Sequence, residues 1–234
     1  MSRELSLAEV FQLGYYWETK VLLTAVRLDV FSALDGKQKT LHDLADRLGA
    51  HRETLGLLLN ALVAMRLLKK DGDSYGNATV AATHLVRSSA QYVGHLLLLH
   101  DAEWDNWGKL QQTIQTGKRL VDRHVFETDA DLGSNVLAVL HRIGQQSGPD
   151  LAKRLQLSGR VRLLDLGGGA GTNAIAFCQT YPGLSATVFD LPATLQLTER
   201  TVKEAGLESR IALLPGDFNK DGLGGPYDIA LMSD

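Results

Sequence analysis

The pattern of apolar positions divides the chain into a helical first part and a second part of short strands and helices. Apolar residues recur at helical spacing over residues 6–35 and 40–68, and again over most of 90–155. We predict one helix with Trp104 and Trp107 that runs to Thr116, then a loop in the charged stretch after Gly117. A further helix over about 131–155 should be interrupted near 144–149, because Pro149 lacks a backbone N–H.

From residue 160 the pattern changes to short apolar runs. These runs cover 161–166, 184–189, 211–215 and 227–232, and helical patterns at 173–180 and 193–205 separate the first three. Strands that alternate with helices are typical of a parallel sheet. We therefore predict an α + α/β fold with three segments: a mainly helical N-terminal domain at 1–90, a helical connecting segment at 91–158, and a Rossmann-like domain at 159–234.

Residues 40–86 have the pattern of a winged helix. Thr40 can cap a first helix that ends at Gly49, and a second helix follows over about 52–68. Asp71-Gly72-Asp73 then marks the tip of a β-hairpin at 69–77. Residues 1–90 hold eleven Lys and Arg against ten Asp and Glu, so no basic face is available for phosphates. A structural or dimerisation role is predicted in place of nucleic-acid binding.

The N-terminal residues, the length of the apolar runs and the cysteine count indicate possible partners and the cellular compartment. The aromatic segment Tyr15-Tyr16-Trp17 packs either on a partner chain or on its own domain, and we favour the partner. Glu4 and Glu9 interrupt the N-terminus, which therefore does not have the pattern of a signal peptide. No apolar run approaches the roughly 18 residues of a membrane span. With one cysteine, Cys178, and no ligand-spaced cluster, a cytoplasmic protein without a metal site is expected.

The main chemical signal is the glycine-rich segment Leu163–Thr172, which ends the first strand and opens a helix. Glycines such as Gly167, Gly168 and Gly169 let the backbone turn sharply and approach a ligand. The helix that follows presents unpaired N–H groups. A glycine-rich turn alone is a weak signal, but this one lies in the first strand–helix–strand unit, where open α/β sheets bind ligands.

Two acidic residues follow the next two strands. Asp190 lies 19 residues beyond Gly171, at the position of an acid that accepts hydrogen bonds from ribose hydroxyls. The alternative is a helix cap before Pro192. Gly216-Asp217-Phe218 follows the third strand and suits adenine, with an acceptor for the amine and an apolar surface beside the ring; an ordinary polar turn is the alternative.

Glycine spacing and charge distinguish between cofactors. The turn reads G-x-G-x-G, whereas a dinucleotide turn reads G-x-G-x-x-G. Asp165 places a carboxylate at the strand end, which repels a pyrophosphate and attracts a cationic sulfonium ligand and its amino group. S-adenosylmethionine is therefore favoured over a nicotinamide cofactor.

These motifs, with Phe189-Asp190-Leu191-Pro192, resemble the S-adenosylmethionine-dependent O-methyltransferases of the caffeate, hydroxyindole and polyketide-tailoring type. The resemblance covers essentially the whole chain and implies a homodimer formed through the N-terminal domain, and a small-molecule acceptor with an aromatic or polyketide-like hydroxyl. The cofactor residues it implies are Asp165, Gly167, Gly168, Gly169, Asp190, Leu191, Gly216, Asp217, Phe218 and Ser233. The acceptor residues it implies are Trp104, Trp107, Leu140, His141 and Ile143.

The resemblance also implies a histidine base a few residues after the fourth strand. No histidine follows that strand here, so we expect the base, and the remaining strands, to lie beyond Asp234. His100 and His141 are weaker candidates for that role. The alternatives to methyl transfer are hydroxylation or decarboxylation with the same cofactor, a non-catalytic winged-helix regulator, and a nicotinamide oxidoreductase.

Overall fold

A computed structural model describes residues 3–118 and 128–233, which form two compact units, Met1–Thr128 and Asp129–Asp234. In the first unit the helices are Leu7–Leu13, Tyr16–Arg27, Val30–Ala33, Leu41–Leu48, Arg52–Ala64, Thr79–His84, Gly94–Ala102, Trp104–Trp107 and Leu110–Thr116. Strands β1 (Lys39–Thr40), β2 (Leu68–Asp71) and β3 (Ser74–Asn77) form an antiparallel sheet in the order β1-β3-β2.

Local signals explain the helices and the hairpin predicted between residues 40 and 77. The Thr40 hydroxyl accepts a hydrogen bond from the backbone N–H of Asp43, and Gly49 ends the helix in the left-handed conformation. The second helix stops at Ala64, four residues earlier than predicted, because Leu68 begins β2. Gly72, at φ +55°, makes the turn between β2 and β3. The two predicted helices and the hairpin are therefore confirmed.

The first unit has two contrasting groups of apolar residues. One group forms a core in which Phe31, Leu44, Leu59 and Leu62 are almost fully buried. The other lies on the first two helices and is half or more exposed; its members are Leu7, Val10, Phe11, Leu13, Tyr16 and Trp17. A patch of this kind on a folded unit is typical of an interaction surface.

The second unit contains the predicted parallel sheet. Strands β4 (Arg162–Leu166), β5 (Ser185–Asp190), β6 (Ile211–Pro215) and β7 (Ile229–Leu231) pair in parallel in the order β6-β5-β4-β7. The helices are Ala130–Leu155, Thr172–Thr180 and Pro192–Glu204. A core that includes Leu163, Phe177, Cys178 and Val188 packs between sheet and helices. The predicted α/β part is thus confirmed, with strand ends shifted by one or two residues.

Two helix predictions in residues 104–155 are wrong. The expected single helix through Trp104 is divided into Trp104–Trp107 and Leu110–Thr116. Conversely, Ala130–Leu155 is one continuous helix with Pro149 inside it. Pro149 removes one intrahelical hydrogen bond, but close packing holds the helix together: a Cβ added to Gly148 would lie 2.9 Å from Cβ of Ala176.

The remaining expectations concern the connecting segment. Gly117 ends its helix in the left-handed conformation, while the charged loop predicted after it falls mostly on residues 119–127, outside the described residues. The helix Ala130–Leu155 belongs to the same compact unit as the parallel sheet. Among residues 3–118 and 128–233, no helix is long and apolar enough to cross a membrane.

Candidate functional site

The carboxyl ends of β4, β5 and β6 bring three predicted loops together. The Gly167 N–H donates to the Phe189 carbonyl at 2.8 Å, and the Gly216 N–H donates to the Asp190 carbonyl at 3.0 Å. Each loop is therefore bonded to the end of the neighbouring strand. We call this part of the second unit the strand-end edge. It carries nine of the ten predicted cofactor residues, and Ser233, the tenth, follows β7 beside β4.

The glycine-rich turn, Gly167–Gly171, needs glycine for two different reasons. Gly167 and Gly169 have φ values of +68° and +56°, which side-chain-bearing residues rarely adopt. Gly168 needs space: an added Cβ would lie 2.8 Å from Cγ of Asp165 and 2.8 Å from Cγ1 of Val188. The backbone of this turn therefore lies directly against the Asp165 carboxyl group.

Asp165 is the most unusual polar residue of the site. It is only 1% exposed, and from the described part of the chain its Oδ2 accepts a single long hydrogen bond, 3.3 Å, from the Ala174 N–H. Its Oδ1 has no hydrogen-bond partner among the described residues. Burial, with a smaller contribution from the negative charge of Asp190, raises the pKa of Asp165 to about 6. A buried acceptor of this kind can pair with a donor or cation supplied by a ligand.

Asp190 has a different environment at the end of β5. Its Oδ2 accepts from the Gly169 N–H at 2.8 Å, and its Oδ1 accepts from the Leu191 N–H at 2.7 Å. The helix begins at Pro192 with Leu191 as its N-cap and with no side-chain cap, which argues against the helix-cap alternative. Asp190 instead ties β5 to the glycine-rich turn, and each carboxylate oxygen retains a further lone pair for a ligand.

The loop after β6 is held by its own residues. Asp217 Oδ1 accepts from both the backbone and side-chain N–H groups of Asn219, and Oδ2 lies 2.8 Å from Nζ of Lys220. These bonds, that of Lys220 first, lower the pKa of Asp217 to about 2. Phe218 is 57% exposed. The polar-turn alternative thus describes the local geometry, whereas the adenine contact stays a prediction.

Gly216 has a packing role that the sequence did not suggest. A Cβ there would lie 2.5 Å from the ring of Phe189, which is fully buried. Any larger residue would displace either this ring or the loop.

Thr198 and Thr201 are site residues that the sequence analysis missed. Both are buried on the helix Pro192–Glu204, and their hydroxyls donate to the carbonyls of Gly169 and Ala170, each at 2.6 Å. They bond the glycine-rich turn to this helix, in addition to the bond between the turn and Asp190 of β5. The available signal was their position on the apolar stripe of that helix beside Leu195 and Val202, where a threonine needs a hydrogen-bond partner.

The predicted acceptor residues belong to both units. Trp104, with Nζ of Lys20 4.7 Å from its ring centroid, and the exposed Trp107 lie in the first unit. In the second unit, Leu140 and Ile143 are each nearly half exposed. His141 is partly buried, and its Nδ1 lies 2.7 Å from Oγ1 of Thr172. The acceptor role of all five residues stays a prediction.

Family models match both parts of the chain. The O-methyltransferase dimerisation domain matches residues 11–87, and the O-methyltransferase domain matches residues 110–234, more than half of the chain.

Curated relatives and a solved structure agree with this. The N,N-dimethyltransferase OxyT of Streptomyces rimosus is 32% identical over 217 residues, which are 89% of this chain and 63% of OxyT. The 3-hydroxy-5-methyl-1-naphthoate 3-O-methyltransferase of Streptomyces sahachiroi is 30% identical, over 93% of this chain and 64% of that enzyme. Human N-acetylserotonin methyltransferase in complex with SAM has a similar fold, with a TM-score of 0.66 and 23% identity over 94% of this chain and 69% of that chain.

The chain thus spans a little under two thirds of these curated relatives. The match over residues 110–234 includes every predicted cofactor residue and the whole strand-end edge. The chain belongs to the O-methyltransferase family.

Proposed function

We propose that the protein is an S-adenosylmethionine-dependent O-methyltransferase that acts on a hydroxyl of an aromatic or polyketide-like small molecule. The observation that carries this proposal is the buried Asp165 carboxyl group, whose Oδ1 has no partner among the described residues and which lies against Gly168. A cationic ligand with an ammonium group compensates such a carboxylate. When bound, the cofactor supplies an activated methyl group on a sulfonium.

The other residues of the strand-end edge suit the remaining parts of this cofactor. Asp190, already fixed by two backbone N–H groups, would accept hydrogen bonds from the ribose hydroxyls. Leu191 and the exposed Phe218 would contact the adenine, and Asp217 would accept from its amine. Gly167 and Gly169 would lie beside the methionine part, and the backbone of Gly168 and Gly216 would allow close approach. Ser233, bonded to Asn173 at 3.0 Å, would complete the edge at β7.

The acceptor class is inferred from the relatives. The naphthoate enzyme is named for methylating an aromatic hydroxyl, and OxyT is named for methylating a nitrogen. An amine acceptor is therefore the second candidate, favoured by the 32% identity to OxyT. The acceptor role that the family resemblance implies is kept as a proposal for each of Trp104, Trp107, Leu140, His141 and Ile143.

We also propose a homodimer formed through a winged-helix domain in the first unit. The two helices, the hairpin β2–β3 and the match to a dimerisation domain support it, as does the exposed apolar patch with Phe11 and Trp17. Sedimentation velocity should give twice the monomer mass, and Phe11→Asp with Trp17→Asp should reduce it to the monomer. A wild-type monomer at micromolar concentration would refute the dimer.

The single cysteine, Cys178, supports the cytoplasm as the compartment.

Calorimetric titration tests the cofactor. S-adenosylhomocysteine should bind the full protein with a micromolar or lower Kd, and NADH should not bind. Binding of NADH alone would exclude this proposal in favour of an oxidoreductase. Product analysis after incubation with S-adenosylmethionine and hydroxylated naphthoates should then detect an added methyl group. A hydroxylated or decarboxylated product would instead support a diverged reaction, and binding to duplex DNA would support a regulator.

A further inference from the structure

One stripe of the helix Ala130–Leu155 packs along the glycine-rich turn and the helix Thr172–Thr180. Its members, Leu137, His141, Gly144 and Gly148, follow one another at intervals of four, three and four residues, so they share one face. A Cβ on Gly169 would lie 3.3 Å from Cδ2 of Leu137, and a Cβ on Gly144 would lie 2.9 Å from Cγ2 of Thr172. The two helices therefore approach closely from the turn onward.

His141 is the polar member of this stripe, and both of its ring nitrogens are engaged. Its Nδ1 lies 2.7 Å from Oγ1 of Thr172, and its Nε2 lies 3.1 Å from Nε2 of Gln145. The Gln145 amide N–H donates, so Nε2 accepts and Nδ1–H donates to Thr172. This arrangement requires neutral imidazole. Burial lowers the pKa of His141, which outweighs the opposite effect of Glu204 and favours the neutral form.

Thr172 links this contact to the site. It is the first residue of its helix and directly follows Gly171, so its position sets the first turn of unpaired N–H groups. Ala174, in the same turn, donates the only hydrogen bond that the Asp165 carboxyl group receives from the described residues. A shift of Thr172 would therefore move both the N–H groups and the partner of Asp165.

We propose that His141 is a positioning residue for the cofactor, which fixes the first turn of the helix Thr172–Thr180 through the Thr172 hydroxyl. This inference rests on the proposed function, because it assigns His141 to the cofactor side of the same site. It also narrows the acceptor-binding role that the family resemblance implies for His141. With both ring nitrogens bonded within the chain, His141 can offer an acceptor molecule only the carbon atoms of its ring.

Two substitutions at position 141 test the roles of the two ring nitrogens of the histidine separately. Asparagine places an amide near Nδ1 and keeps the bond to Thr172, whereas glutamine places its amide near Nε2 and loses that bond. In the full protein, His141→Gln should weaken S-adenosylhomocysteine binding about fivefold, the size of one ordinary hydrogen bond. His141→Asn should stay within about twofold of the wild type. His51→Gln, at an exposed position of the first unit, is the matched control and should leave the Kd unchanged.

Thr172 completes a double-mutant cycle. Thr172→Val removes the hydroxyl at nearly constant shape and should weaken binding as much as His141→Gln does, while Thr172→Ser should not. The double variant His141→Gln with Thr172→Val should bind no more weakly than either single variant, because both remove the same contact.

The outcomes distinguish this inference from the proposed function. If the wild type fails to bind S-adenosylhomocysteine, the proposed function is wrong. If the wild type binds and both His141→Gln and Thr172→Val retain its Kd, only the positioning role is refuted, even where Tm falls. An equal loss of affinity in His141→Asn and His141→Gln would also refute it, since general packing would then explain both.

Discussion

Two turns at the strand-end edge are stabilised in opposite ways. The glycine-rich turn after β4 is held by other elements: by Asp190 from β5 and by Thr198 and Thr201 from a helix about thirty residues away in sequence. Apart from the Gly216 N–H, which donates to the Asp190 carbonyl, the turn after β6 is held by residues within four positions of Asp217. The first turn thus depends mainly on the folded unit, whereas the second is stabilised mainly by its own sequence.

The acidic residues of the site also differ in how many of their carboxylate hydrogen bonds are already formed within the chain. Asp217 is surrounded by donors, and its pKa is lowered to about 2. Asp165 is buried with an oxygen that has no partner among the described residues, and its pKa is raised to about 6. A ligand therefore gains most at Asp165 and Asp190, and least at Asp217.

The largest effect is expected from Asp190→Ala. It removes the acceptor of the Gly169 N–H and the proposed ribose contact together, so S-adenosylhomocysteine should bind about 100-fold more weakly, as two charged hydrogen bonds are lost. Asp190→Asn, which keeps one acceptor oxygen, should lose about tenfold. Calorimetry measures both, and an unchanged Kd in Asp190→Ala would remove this residue from the site.

Asp165→Asn should weaken binding but stabilise the ligand-free protein. Folding raises the pKa of Asp165 from the ordinary 3.8 to about 6, so its protonated form is favoured in the folded state. Stability is therefore lost as pH rises from about 4 to about 6, by roughly 3 kcal/mol at most. The asparagine variant lacks this loss, and at pH 8 it should unfold at a higher denaturant concentration while its Kd rises about tenfold.

The pH dependence of the wild type provides the check on Asp165. Its cofactor affinity should fall below about pH 6, where the carboxylate takes up a proton, and Asp165→Asn should not show this decline. The same slope in both proteins would contradict the assignment and would point to another titrating group.

The smallest effect is expected from Asp217→Ala. Its carboxylate already receives bonds from Asn219 and Lys220, so an adenine amine would add one shared hydrogen bond. The Kd should rise about threefold. Glu199→Ala, which also replaces an acid by alanine but at an exposed position of the same unit, serves as the control. A loss as large as that of Asp190→Ala would overturn the comparison between the two turns.

Sequence alone predicts the parts of this site that depend on local pattern. The glycine spacing, the strand ends and the acids that follow them are encoded within a few residues, and the parallel sheet brings them to one edge. It does not predict Thr198, Thr201 or the contact of His141 with Thr172, because these bonds join residues about thirty positions apart. They depend on how each helix is rotated against its neighbour.

At Pro149 the local sequence predicts a feature that the structure does not have. Proline favours a helix break there, but the helix continues because Gly144 and Gly148 pack closely on Thr172 and Ala176. Tertiary contacts therefore override the local signal here.

The buried Cys178 makes the opening of the second unit measurable. It is the only cysteine of the chain, it lies fully buried in the core of that unit, and burial raises the pKa of its thiol. An alkylating reagent can then reach it only when this core opens. The rate of labelling, followed with and without a ligand, reports the local unfolding free energy of the second unit without any engineered probe.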